Sequence, residues 1–264
     1  MIELDDGARL RRGTAADLEA ILAIRRALPM PSASETRGGG FLLDTKDEAY
    51  RELLAVARVW LLEQPEHGGL APVGFTLTLD DPALRASPIW AQRERIEWRP
   101  DFDPEAALDR RLAYFDQIAV LPRIRARYWG AALALRALAD LFIASKTRTA
   151  GPTPSLRSGP RSPETGIDEA GIDETGIDET GIDNRGHELV LTTTLREPIV
   201  NRAALPFLAR VGAREVGRLA QTDPGVGPIV SAIHAIEAAR FRELLAAAET
   251  AGPAALRVVR VLSE

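Results

Sequence analysis

A β-rich run, Leu112 to Val120, leads through an arginine-rich connection, Leu121 to Gly130, into an alanine-leucine stretch, Ala131 to Ser145, of high intrinsic helix propensity. This strand, loop and helix constrain the chain more than any other segment. A helix N-terminus leaves backbone N–H groups unpaired and carries partial positive charge, so it accepts phosphate oxygens without a special side chain. Arg123, Arg125 and Arg127 stand just ahead of the helix and add charge-assisted donors. The same arginines read equally well as solvated loop residues.

The remaining periodicities place mixed α and β elements around this unit. Arg9 to Leu28 reads as a short strand, a cap and an amphipathic helix. Thr14 with Asp17 three residues later makes a capping-box-like start, and Leu18, Ile21, Leu22, Ile24 and Leu28 recur at helical spacing. Pro29 and Pro31 end that helix. Ser32 to Gly40 is a glycine-rich loop, and Asp47 to Arg58 has the period of a second helix. Val59 to Glu63 and Val73 to Leu79 form an expected antiparallel hairpin across a long turn, Gln64 to Pro72. Asp80 to Pro104, with four prolines, Trp90 and Trp98, has no clean period and reads as an insertion of loops and short pieces that covers the core or a pocket.

A second strand-helix-strand unit follows at Glu188 to Leu195, Asn201 to Val211 and Arg214 to Leu219, with Gly212 at the helix C-cap. Ile229 to Ile236, Ala238 to Ala251 and Leu256 to Leu262 complete the order as strand, helix and strand. Between the two units, Thr147 to Gly186 contains four ETGID-like pentapeptides from Glu164 to Asp183. A five-residue period matches neither helix nor strand, and one Ile per repeat buries too little to offset chain ordering, so this low-complexity insertion is expected to be disordered. It lacks the glycine-rich nonapeptide of calcium-binding β-helices.

Composition then removes whole classes. The 264 residues, 45% hydrophobic, suit one domain with insertions, spanning 1–264 with interruptions at 80–104 and 147–186. There is no cysteine, so disulfides, thiolate nucleophiles and Cys-ligated zinc are out. The acidic-then-basic start is not a secretory signal, and Ala131 to Ala144, broken by Arg136 and Asp140, is too short to span a bilayer, so a cytoplasmic protein without membrane contact is expected. The net charge of −5 rests on the eight carboxylates of the repeat, without which the rest is mildly basic. Nearly all cations are arginine, as in a GC-rich bacterial genome, and neither clustering nor a motif marks a nucleic-acid footprint. There is no GxSxG, GxxxxGK[ST] or HExxH sequence, and Gly225-Val226-Gly227 before Pro228 is a turn. His67, His187 and His234 form no ligand pattern, so no metal is expected.

Asp116-Gln117-Ile118-Ala119-Val120-Leu121-Pro122, followed by Arg125-Ala126-Arg127-Tyr128-Trp129-Gly130-Ala131 and its helix, resembles the central motif of the GNAT superfamily of N-acetyltransferases. There a strand enters an [RQ]xxGx[GA] loop whose amides cradle the coenzyme A pyrophosphate. Arg125 matches its first position and Gly130 its last. Leu10 to Arg25 resembles the family's opening strand and helix, Val73-Gly74-Phe75 its VGF strand, and Thr192 to Asn201 and on to Gly212-Ala213 its second cofactor-side motif. The resemblance implies an α/β (α+β) fold, with a mixed, mostly antiparallel central sheet flanked by helices and two splayed central strands. It also implies acetyl-CoA as cosubstrate, an amine acceptor and no metal; a homodimer is admitted but not required.

By the same resemblance, main-chain groups of Ile118, Ala119 and Val120 and the side chain of Asn201 contact the pantetheine arm. Residues Arg125 to Ala131 hold the diphosphate. An unprotonated amine attacks the thioester directly, which needs a base and an acid, and Asp116 and Tyr114, on one face of the strand, are the candidates. Three positions depart from the pattern: Tyr128 replaces the loop's first glycine, Leu208 stands where the family commonly has a thiolate-protonating tyrosine, and Pro206 lies inside the matching helix. These leave open a GNAT-like module that binds without turnover.

Overall fold

The computed structural model describes residues 1–31, 41–43, 46–66, 68–124, 128–143, 186–223 and 225–250. The glycine-rich loop, Arg125 to Arg127, the ETGID repeats, His67 and the expected strand at Leu256 to Leu262 lie outside them.

Among the described residues nine strands form one sheet: β1 (Ile2–Glu3), β2 (Arg9–Arg12), β3 (Arg58–Glu66), β4 (Gly69–Leu79), β5 (Glu97–Trp98), β6 (Leu112–Val120), β7 (Leu189–Glu197), β8 (Arg214–Asp223) and β9 (Gly227–Glu237). Their order across the sheet is β1-β2-β3-β4-β6-β7-β9-β8-β5. Only β6 and β7 pair in parallel; the other contacts are antiparallel. The helices are α1 (Leu18–Arg26), α2 (Asp47–Val56), α3 (Asp81–Arg85), α4 (Pro88–Ala91), α5 (Pro104–Leu108), α6 (Trp129–Phe142), α7 (Leu205–Arg210) and α8 (Ala238–Thr250). This is the mixed, mostly antiparallel, helix-flanked arrangement that the resemblance implies. Among the described residues no helix is long and apolar enough to cross a membrane.

Alternation along the strands assigns the two faces. Trp60 and Leu62 of β3 join Phe115, Val190 and Ile236 beneath α6, α7 and α8. Val59 and Leu61, with Phe75 and Leu77, turn the other way onto α1 and α2. Farther across that second face, Leu79, Tyr114, Leu191, Val216 and Ile233 are covered by α3, α5 and their neighbours. The small alanines of α6, Ala132, Ala134, Ala137 and Ala139, are buried with Leu133, Leu138 and Phe142. Burying each of these large side chains is worth about 1.5–3 kcal/mol.

The two charges that interrupt the apolar pattern of α6 are also used. Arg12 of β2 pairs with Asp140, and the guanidiniums of Arg12 and Arg136 lie 4.6 and 4.9 Å from the centre of the Trp60 ring. At the start of α1, Thr14 N donates to Asp17 Oδ2 at 2.8 Å, as the capping pattern implies, on a 3-10 turn that precedes the helix. Arg11 donates to both Asp17 oxygens and holds that carboxyl down at about 2.

The structure departs from sequence expectation in three places. The β3–β4 hairpin runs to Glu66 and Gly69, so its turn is short. Prolines made the segment read as a loop, but Pro65 lies past the end of β2, where β3 has one neighbour, and Pro72 stands beside a bulge at Leu62/Glu63. The Asp80 to Pro104 segment folds into short helices and contributes β5 to the far edge. Helix α7 starts at Leu205, not at Asn201, because a helix begun earlier would set the Pro206 ring against the carbonyl of Arg202. Gly212 closes that helix at φ +70, as a C-cap glycine should.

Close approach of β4 and β6 depends on Gly74, where a Cβ would meet Ala119 O at 2.8 Å. Gly74→Ala is expected to destabilise the fold by about 1–3 kcal/mol in urea unfolding, because the strands must shift to admit a methyl group.

Candidate functional site

The site begins where two strands part. β6 and β7 pair from Leu112↔Leu189 to Phe115↔Thr192 and no further. Beyond that point β6 stays with β4 as far as Val120, and β7 stays with β9 as far as Glu197. Residues 116–120 and 193–197 therefore border an open, V-shaped seam. Two side-chain bonds close its apex. Thr192 Oγ1 donates to Phe115 O at 2.8 Å, and the Tyr114 and Thr193 hydroxyls lie 2.9 Å apart across the strands.

Asp116 is the first β6 residue inside the seam. Thr78 pairs with Phe115 and Leu77 with Gln117, so Asp116 is the extra residue of a bulge. Gln117 Nε2 donates to Asp116 Oδ2 at 3.1 Å, and Tyr50 of α2 donates its hydroxyl to Gln117 Oε1. Burial pushes the Asp116 carboxyl up to about 6, against the opposing effect of the Gln117 bond. Burial and then the Asp116 charge push both Tyr50 and Tyr114 above the ordinary phenol range. A carboxyl able to change protonation near neutrality thus lies among two neutral phenols and an amide.

Each sequence candidate can now be placed. Tyr114 and Asp116 come together at the apex. Ala119 is buried against the α1–α2 side, while Ile118 and Val120 pack toward α6. Trp129 is 2% exposed and belongs to the core. Tyr128 takes the N-cap position of α6 without a side-chain cap, and Gly130 and Ala131 form the first turn. The Tyr128 hydroxyl accepts from Asp5 N at 3.4 Å, which carries the ring toward the β1–β2 edge and away from β7. Arg123 is committed to Glu66 at the tip of the β3–β4 hairpin. Arg125, Ala126 and Arg127 lie outside the described residues.

Asn201 does not open α7. It follows the end of β7, its backbone N–H donates to Leu195 O at 2.9 Å, and a turn separates it from the helix. Its Oδ1 is buried with no hydrogen-bond partner among the described residues. A buried amide oxygen left unpaired is costly, and a ligand N–H would relieve it. Leu208 lies in the core beneath the sheet and brings no proton donor to the seam.

Sequence reasoning missed Tyr50 and Gln117. The polar pair Asp116-Gln117 inside an apolar strand was the available signal for the bulge; Tyr50 gave none, since it occupies an apolar position of an amphipathic helix. The described histidines, His187 and His234, are engaged elsewhere. His234 Nε2 is 2.8 Å from Thr194 Oγ1, and His187 is held between Leu141 O and the amide of Asp81. Burial lowers both imidazoles below their usual range. Among the described residues no three His, Asp or Glu side chains gather as a metal site.

No protein-family profile and no curated protein matches the sequence. Solved structures with a similar fold include NAA60 of Arabidopsis thaliana in complex with acetyl-CoA, at 14% identity and TM-score 0.46, covering 87% of this chain and 99% of that one. The NatC complex bound to Gag peptide and CoA matches at 12% identity and TM-score 0.42, over 86% and 96% of the chains. A GNAT-family acetyltransferase from Streptococcus pneumoniae matches at 12% and 0.42, over 86% and 97%. These are distant likenesses of shape, and what the seam can do is decided by this chain's own residues.

The raised Asp116 pKa has a sign that stability can read. Between about pH 4 and pH 6 the folded carboxyl keeps a proton that the unfolded one has lost, so native stability falls as pH rises through that window. Asp116→Asn is expected to match wild type at pH 3.5 and to exceed it by up to about 3 kcal/mol at pH 7.5 in urea unfolding. An offset that does not vary with pH would show an ordinary carboxyl.

Proposed function

We propose that the protein is an N-acetyltransferase that carries an acetyl group from coenzyme A to an amine by direct attack. The observation that carries this reading is the seam between β6 and β7, whose walls end at two features suited to the same ligand. On one side α6 begins without a side-chain cap, which suits an anion. On the other, Asn201 Oδ1 awaits a donor. An extended, amide-bearing arm ending in a diphosphate fits between them, because the strand edges bordering the seam offer main-chain partners along its length.

Bound acetyl-CoA supplies an activated thioester carbonyl. Backbone groups of Ile118, Ala119 and Val120 and the Asn201 amide orient the arm. The first turn of α6, from Tyr128 through Trp129, Gly130 and Ala131, receives the diphosphate together with Arg125, Ala126 and Arg127. Asp116 takes the proton from the attacking nitrogen as the new C–N bond forms and the C–S bond breaks. A carboxyl near pH 6 is suited to that role, since at neutral pH it is ionised yet still basic. The Tyr114 hydroxyl, held at the apex by Thr193, donates a proton to the departing sulfur.

Calorimetry with CoA and acetyl-CoA tests the binding half. Acetyl-CoA at 100 times its Kd should stabilise the protein by about 2.7 kcal/mol. Asn201→Ala should weaken binding roughly fivefold, the worth of one net hydrogen bond; no heat and no stabilisation at saturating ligand would remove the assignment. The chemical half is read with a thiol reagent, which reports released CoA without background because the chain has no cysteine. With a reactive amine, kcat/KM should rise through about pH 6. Asp116→Asn should lose roughly 10²–10⁴-fold in kcat.

The position of Leu208 in the core favours one second reading, a module that binds CoA without turnover. It is distinguished by a normal CoA affinity with no CoA release across an amine panel.

A further inference from the structure

A cavity opens on the α3–α5 face immediately beside the apex of the seam. Its volume is about 50 Å³, room for a few methylene groups. Its floor is Tyr114, Leu191 and Thr193; its roof, from the 80–104 segment, includes Ile89, Trp90 and Trp98. The floor position is informative. Tyr114 and Leu191 are register partners one step before the strands part, and Thr193 is the first β7 residue beyond that point. The cavity thus starts where, on the reading proposed above, the thioester carbonyl would rest.

We propose that this cavity receives the hydrocarbon chain of an acyl group longer than acetyl, so that the transferred group is a short- to medium-chain fatty acyl. This inference rests on the coenzyme A reading of the seam and adds the substrate class.

The chemistry of the walls favours an acyl chain over the amine acceptor. An ammonium group or peptide N-terminus is recognised by carboxylates, and among the described residues no Asp or Glu lines the cavity. The two hydroxyls on the floor bond to each other, so they make no demand on an apolar guest. The one charged lining residue, Arg93, has its guanidinium 5.1 Å from the centre of the Trp90 ring, and Arg85 lies 4.8 Å from the same ring. With both cations against its ring, Trp90 forms an apolar roof. An occupant that is uncharged, apolar and anchored at the apex matches every wall. The bonds made and broken are those of acetyl transfer: C–N forms, C–S breaks, the amine proton goes to Asp116 and the sulfur takes the proton of Tyr114.

Isothermal calorimetry of the full chain with CoA, acetyl-CoA, butyryl-CoA, hexanoyl-CoA and octanoyl-CoA tests this without an identified acceptor. Affinity is expected to rise by about fourfold per added methylene from acetyl toward hexanoyl, the worth of burying a CH₂ group, and to level off once the cavity is full. Ile89→Trp, which fills the cavity from its roof, should abolish the rise and leave the affinity for CoA unchanged; circular dichroism checks that it folds. Trp90→Ala, which opens the roof, should shift the plateau to longer chains. CoA binding with a flat or falling chain-length series overturns the inference and leaves the coenzyme A reading intact. So does a rise that both variants preserve. Failure of CoA itself to bind overturns both.

Discussion

The separation of β6 from β7 after Phe115 and Thr192 is the constraint on which the rest of this structure depends. Two adjacent strands that stop pairing forfeit ladder hydrogen bonds, and a buried backbone rarely tolerates such a loss. The loss is survivable here because each strand keeps its other neighbour, β4 for β6 and β9 for β7. The apex is pinned by side chains as well: the Thr192 hydroxyl takes up the Phe115 carbonyl, and Tyr114 reaches Thr193. The sheet is therefore held firmly up to the apex and opened beyond it.

The two faces of the sheet divide the consequences. Beneath it, α6 packs its alanines closely, which fixes the position of its N-terminus relative to the end of β6. The Arg12–Asp140 pair and the Trp60 ring between Arg12 and Arg136 hold α6 to strands at the other side of the sheet. Above it, α1 and α2 cover one half and the 80–104 segment the other, with the apex between them. The connection from α1 to α2 also reaches across, where Met30, Phe41 and Leu43 pack against Leu195, Ile199 and Ile229.

Local chemistry was legible in the sequence wherever a few neighbouring residues decide it. The Thr14-Asp17 cap and the C-cap position of Gly212 follow from spacing alone. The cost of a proline depends on its neighbours: Pro65 is harmless on a strand with a single partner, whereas Pro206, a departure the sequence already marked, delays a helix by several residues. The Tyr50–Gln117–Asp116 chain was not legible, since it joins a helix to a strand far away in sequence. The use of Trp90 and Trp98 was likewise hidden: a tryptophan in an irregular segment fills a core or roofs a cavity with equal ease until its neighbours are known.

The bulge at Asp116 shows why a one-residue irregularity matters more here than anything periodicity can report. Strict alternation would have paired Leu77 with Asp116 and carried every later side chain of β6 to the opposite face. With one extra residue, Ala119 instead turns in under α1 while Ile118 and Val120 face α6, and the apolar pattern of the strand is satisfied on both sides of the break. The residue left over is a carboxylate, at the first position inside the seam, where burial favours its protonated form and Gln117 supplies a bond. An apolar residue at 116 would have met no such penalty. A carboxyl kept at a desolvated position costs stability at neutral pH, and its use as a proton acceptor is the compensation that the geometry of the apex allows.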